Sequence, residues 1–135
     1  MKVTVRRRIA ASPDRVWAVV GDFAGCAQWC PVDSCTATGN RVGSMRTVRG
    51  MGLVCEQQLT ALDDKVRLLN YTMTDNTELP WADYWAEITV SEVPGGSEVT
   101  WVCELKPLTE EAHIQDRIRR TYEPALETLA RLVES

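Results

Sequence analysis

Four polar side chains fall in consecutive strand-like segments of this chain: Arg46 in 44–49, Glu56 in 53–62, Tyr71 in 65–73 and Tyr84 in 81–93. Brought together under cover, they would form a reaction site that needs neither metal nor nucleotide. A glutamate can take a proton from carbon beside a carbonyl and return it. An arginine can hold the enolate oxygen that forms, or grip a carboxylate with its two-pronged fork. Phenol hydroxyls can donate to substrate oxygens. The competing assignment for Arg46 and Glu56 is a structural cross-strand pair at a partly solvated sheet edge.

Hairpin register decides whether they meet. A tip centred on Met51 sets Arg46 opposite Glu56 and Val48 opposite Val54. A turn at Asp63-Asp64 sets Glu56 opposite Tyr71 and Gln58 opposite Leu69. The loop centred near residue 77 sets Tyr71 opposite Tyr84, and the turn Pro94-Gly95-Gly96 sets Ile88 opposite Cys103 and Val90 opposite Trp101. Side chains alternate between faces along a strand, so one face collects Arg46, Val48, Glu56, Gln58, Leu69, Tyr71, Tyr84, Ile88, Trp101 and Cys103. That face is the more apolar, so it is expected to turn inward. An Arg–Glu pair on a covered face is expensive unless hydrogen-bonded, which argues for a hydrated cavity rather than a dry core.

The other candidates carry less chemistry. Cys26, Cys30, Cys35, Cys55 and Cys103 show no paired C-x-x-C spacing of a zinc site, so no metal is expected. They are expected to be reduced, structural thiols. His113, the single histidine, falls one step off the apolar stripe of a helix and is expected in solvent. Phosphate-loop, dinucleotide, nucleophile-elbow and H-E-x-x-H motifs are absent, and no cofactor is expected. The formal net charge is −4, and basic residues cluster only at Arg6–Arg8 and 117–120, which argues against nucleic acid. No apolar run approaches the ~18 residues that would span a bilayer. The first residues, Met1-Lys2-Val3-Thr4-Val5-Arg6, are strand-like rather than a secretion signal, so a cytoplasmic protein is expected.

The elements that must position these residues follow from periodicity. With 135 residues the chain is expected to be one domain, 1–135. Residues 2–9 alternate as a strand. Ser12-Pro13-Asp14 opens a short helix that Gly21 ends, and a second helical turn fits 23–29 before Pro31. Six strands follow, divided by Gly-, Pro- and Asp-rich turns. A long amphipathic helix begins near Thr109, with Ile114, Ile118, Tyr122, Ala125, Leu129 and Leu132 as its stripe and Pro124 as a kink. The fold class is therefore α+β: a seven-stranded curved antiparallel sheet gripping a long C-terminal helix, with two short helices after strand 1.

That order, with Ala11-Ser12-Pro13-Asp14-Arg15-Val16-Trp17, Asp22-Phe23, Trp29-Cys30-Pro31, Gly43-Ser44-Met45-Arg46, Leu62-Asp63-Asp64 and Val99-Thr100-Trp101, resembles the START/Bet v 1-like superfamily, also called SRPBCC. Within it, the chain is similar to the polyketide cyclase/dehydrase and lipid-transport group, over essentially its whole length. The resemblance implies a helix-grip fold and an internal cavity for a hydrophobic, oxygenated small molecule of polyketide type. The first functional expectation is an aldol-type cyclase or dehydratase working through Glu56, Arg46 and Tyr71. Trp29, Gln58, Tyr84, Ile88, Trp101, Cys103, Ile114 and Ile118 would hold the substrate. The alternative is a non-catalytic carrier of a hydrophobic small molecule or lipid. Trp81 and Trp85 are placed at the pocket mouth, or Trp85 on the outer face. A monomer or homodimer is expected.

Overall fold

The structure is a computed structural model and describes residues 1–134. Strand β1 (Lys2–Ile9) leads through Ser12 into helix α1 (Pro13–Val20). The Ser12 hydroxyl accepts from the Arg15 N–H at 3.2 Å, and proline stands where a helix needs no N–H donor. A 3₁₀ segment (Phe23–Gln28) follows, then β2 (Ser34–Ala37), β3 (Met45–Gly50), β4 (Leu53–Asp63), β5 (Leu68–Met73), β6 (Trp81–Val93), β7 (Gly96–Pro107) and helix α2 (Glu111–Glu134). The seven strands form one antiparallel sheet in the order β1-β7-β6-β5-β4-β3-β2. The expected α+β helix-grip fold is what the chain adopts.

α2 lies against the concave face and buries Ile114, Ile118, Tyr122, Ala125, Leu126, Leu129 and Val133. Each large aliphatic side chain so covered stabilises the fold by ~1.5–3 kcal/mol before ordering entropy is subtracted. Leu132 falls outside the stripe and is exposed. The helix runs through Pro124 as one element. The Trp17 indole N–H donates to Asp64 at 2.9 Å and ties α1 to the β4–β5 turn.

The register differs from expectation at one decisive place. Met51 and Gly52 both have positive φ, 52° and 76°, so the β3–β4 connection is a two-residue turn of the kind that matches strand twist. Gly50 then pairs with Leu53, and Arg46 faces Gln57 rather than Glu56. A one-residue slip turns every side chain of a strand over. Cys55, Gln57 and Leu59 therefore face inward, while Glu56 and Gln58 are exposed. An irregularity between Leu59 and Ala61 resets the pairing, so Tyr71 lies opposite Leu59 on β4 and Ala86 on β6. The β6–β7 register is offset by two, with Ile88 opposite Trp101 and Val90 opposite Val99, which leaves the inward face unchanged. A second irregularity between Ala82 and Trp85, with Asp83 at φ 54°, lets both Trp81 and Tyr84 face inward.

The β6–β7 turn is where backbone crowding is tightest. A methyl group on Gly96 would overlap the carbonyl oxygen of Ile9 and press on the backbone of Ala10 and Ala11. Both strands there are fixed, so Gly96→Ala is expected to destabilise the domain by ~2 kcal/mol or more, read as a lowered denaturation midpoint. Gly95→Ala meets no neighbouring atom and serves as the comparison for backbone strain alone.

Candidate functional site

Between the concave face and α2 lies a cavity of about 130 Å³. Its inner wall is aromatic: Trp101 stacks on Tyr122 with ring centroids 3.7 Å apart, Trp81 stacks on Tyr84 at 5.9 Å, and Tyr71 tilts against Tyr84 at 6.2 Å. Val32, Val48, Leu53, Met73, Leu79 and Ile118 add apolar lining. The mouth lies where lining residues are exposed, at Pro31, at Met51 of the β3–β4 turn and at Arg117 of α2. Arg117 sits there with its guanidinium carbon 5.5 Å from the Trp81 ring centre. A cavity of this size takes one ring or a short alkyl chain; an engineered void of ~150 Å³ is enough for benzene.

Among the described residues Arg46 is the cavity's one buried cation, 7% exposed. Its Nε donates to Gln57 Oε1 at 2.7 Å and its Nη1 to the Phe23 carbonyl at 2.9 Å. Its guanidinium lies 4.1 Å from the Phe23 ring centre and 4.8 Å from that of Tyr71. Aromatic faces partly replace water around a cation. Among the described residues no carboxylate pairs with it. Among the described residues, no Asp, Glu or His lines the cavity.

The other polar groups present donors. Trp81 and Trp101 are buried, and their indole N–H groups lack hydrogen-bond partners; the same holds for Trp29, which tilts behind Trp101 at 5.2 Å. The Trp101 N–H lies near enough to the Tyr71 hydroxyl to favour its ionised form, without making a hydrogen bond of ordinary geometry. The Tyr84 hydroxyl bonds that of Tyr122 and stands 3.5 Å from that of Tyr71. Burial pushes the Tyr71 phenol up to about 12 and those of Tyr84 and Tyr122 well above the usual range, so all three stay neutral.

The structure gathers part of the expected set. Arg46, Tyr71, Tyr84, Trp101 and Ile118 line the cavity. Trp29, Ile88, Cys103 and Ile114 are buried behind that lining. Glu56 and Gln58 are corrections: both lie on the solvent face, Glu56 opposite Thr47, and the Gln58 amide donates to the Gly43 carbonyl at 3.4 Å. The cause is the two-residue turn at Met51-Gly52. His113 is exposed as expected, 3.8 Å from Glu110. Trp85 is on the outer face, and Trp81, expected at the mouth, is buried in the cavity wall. Sequence reasoning missed Gln57, Tyr122, Arg117, Cys26 and Cys30 as lining residues. Gln57 could have been found by treating Met51-Gly52 as a two-residue turn.

Solved structures of the same shape exist. The protein XoxI from Bacillus cereus superposes with a TM-score of 0.87 at 24% identity, covering 98% of this chain and 94% of that one. An uncharacterised protein from Bacillus thuringiensis gives 0.89 at 22% identity over the full length of both. A protein from Thermobifida fusca, solved in solution, gives 0.84 at 25% identity over 96% and 90%. No curated protein matches the chain. The family model for polyketide cyclase/dehydrase and lipid transport matches residues 1–134. With a covered cavity beneath the helix and a match along the whole described length, the chain belongs to the polyketide cyclase/dehydrase and lipid-transport family, whose fold supports a ligand-binding role.

Proposed function

We propose that this protein is a non-catalytic binding protein for an apolar small molecule that carries one anionic oxygen group, a carboxylate in the simplest case. The observation that carries this reading is the buried Arg46 cation with no carboxylate partner, in a cavity whose unpartnered polar groups are indole N–H donors. Burying a guanidinium that only neutral acceptors and the Cys26 thiol face, together with unsatisfied donors, is unfavourable unless something brings further acceptors to them. A ligand carboxylate on the free edge of the guanidinium would do so, with its apolar part against Val48, Leu53, Met73 and Leu79. Five free thiols accord with a reducing, cytoplasmic setting.

Carrier is favoured over aldol cyclase because the cavity holds no general base of the expected kind. Glu56 points to solvent and the tyrosines are held neutral. The volume also favours a single ring or short chain over a fused polycyclic product.

The test is indole fluorescence, since Trp81 and Trp101 line the cavity. Hexanoate is expected to bind ~10- to 100-fold more tightly than methyl hexanoate, the value of one charge-assisted contact. Arg46→Met should abolish that preference, and Arg46→Lys should keep only part of it, because a lysine lacks the fork. Equal affinity for acid and ester in the wild-type protein would refute the reading.

Glu56→Gln separates the two functional readings. Affinity for hexanoate should stay within ~2-fold, as for other exposed substitutions. A collapse of binding, or of any turnover found, would place Glu56 back in the site.

A further inference from the structure

The cavity wall beside Arg46 holds a group of thiols that ligand binding does not use. The 3₁₀ segment and the chain after it bring Cys26 and Cys30 to the lining, and the Cys30 N–H closes a turn on the Cys26 carbonyl at 2.8 Å. Cys35, on β2 opposite Val48, reaches the same place. All are free thiols, and among the described residues no group of three or more His, Cys, Asp or Glu is arranged to hold a metal ion. Trp29, between the two lining cysteines, has φ −133°, so the turn carrying Cys30 is not locked in a continuing helix.

We propose that Cys26 and Cys30 form a peroxide-reactive dithiol at the cavity wall, with Cys26 as the nucleophile and Cys30 as the resolving thiol. Hydrogen peroxide, little larger than water, reaches Cys26 through the cavity. The Cys26 thiolate attacks one peroxide oxygen; an S–O bond forms, the O–O bond breaks and hydroxide leaves. The Cys30 thiol gives its proton to that hydroxide, and its sulfur then attacks Cys26. The S–S bond forms as the S–O bond breaks, and the departing hydroxide takes a proton from solvent. Two thiols and one peroxide give one disulfide and two waters. Residues four apart on a turn hold their Cβ atoms ~5–6 Å from each other, and a disulfide needs ~4 Å, a shift the non-helical Trp29 can absorb.

Electrostatics assign the roles. The Cys26 thiol is lowered to about 6, first by hydrogen bonding from Cys30, then by the Arg46 charge and by Cys35, against burial and the nearby Asp22 carboxylate. Cys30 is pushed well up, first by its hydrogen bond to Cys26 and then by burial. Burial and the same cluster raise Cys35 to about 11. A thiolate next to a protonated thiol is the arrangement a nucleophile and its resolver require. Cys55 also lines the cavity, but burial raises it, so it serves as an internal control.

The experiment treats the full chain with one equivalent of hydrogen peroxide at pH 7, blocks remaining thiols and maps the peptides by mass spectrometry. The expected result is a Cys26–Cys30 disulfide, with Cys55 still a thiol. In Cys30→Ser, Cys26 should accumulate as a sulfenic acid that dimedone traps. In the untreated protein, iodoacetamide should label Cys26 at a rate that is half-maximal near pH 6, while Cys55 is still rising above its ordinary range. Oxidation of Cys26 no faster than of Cys55, or a Cys26–Cys35 linkage in place of Cys26–Cys30, would overturn the proposal. The wild-type map needs no variant to fold, so it decides alone.

Discussion

A single buried guanidinium organises the interior of this protein. Arg46 enters from β3 and is fixed at Nε by Gln57 and at Nη1 by the Phe23 carbonyl. One contact comes from the neighbouring strand and the other from the 3₁₀ segment that closes the end of the sheet. The same cation lies on two aromatic faces, Phe23 and Tyr71, and polarises the thiols of Cys26, Cys30 and Cys35. Its position thus couples the strand layer, the end cap and the cavity. What it lacks is a carboxylate partner; the group that answers its charge is the Cys26 thiol, which it helps to ionise.

The rest of the frame keeps that charge buried and the space open. α2 covers the concave face with aliphatic residues along most of its length. Near Tyr122 it presents an aromatic surface instead, continued by Trp101, Tyr84, Tyr71 and Trp81. Flat rigid rings leave gaps that branched aliphatics would fill. The phenols, kept neutral by burial, link into a hydrogen-bonded row that gives the deep end of the cavity polarity without charge. Shape comes from the aromatics and sign from Arg46.

The fold was legible because its signals are long and redundant. Ser12-Pro13 marks a helix start in two independent ways, and α2 carries eight buried residues at helical spacing. The inward face of β5, β6 and β7 was legible too, because an error of two residues in register leaves alternation intact. The site was only half legible, because its meaning turned on parity in one hairpin. Met51 occupies a positive-φ position that glycine or asparagine would normally advertise, so the turn looked one residue shorter than it is. That single residue moved Glu56 outward and Gln57 inward. The thiol cluster was hidden for a different reason: Cys26 and Cys30 stand four apart in sequence, but Cys35 joins them because β2 packs against the 3₁₀ segment, which spacing alone does not show.

The central claim is that the Arg46 guanidinium keeps an edge free for an anionic ligand. Nitrogen-15 NMR of the arginine side chains during a hexanoate titration observes that group itself. A saturable shift of the Arg46 Nε–H resonance, with the surface arginines Arg8, Arg120 and Arg131 unmoved, is the predicted result. An Arg46 signal that stays fixed while hexanoate binds, or that moves only in step with the surface arginines, would contradict the account.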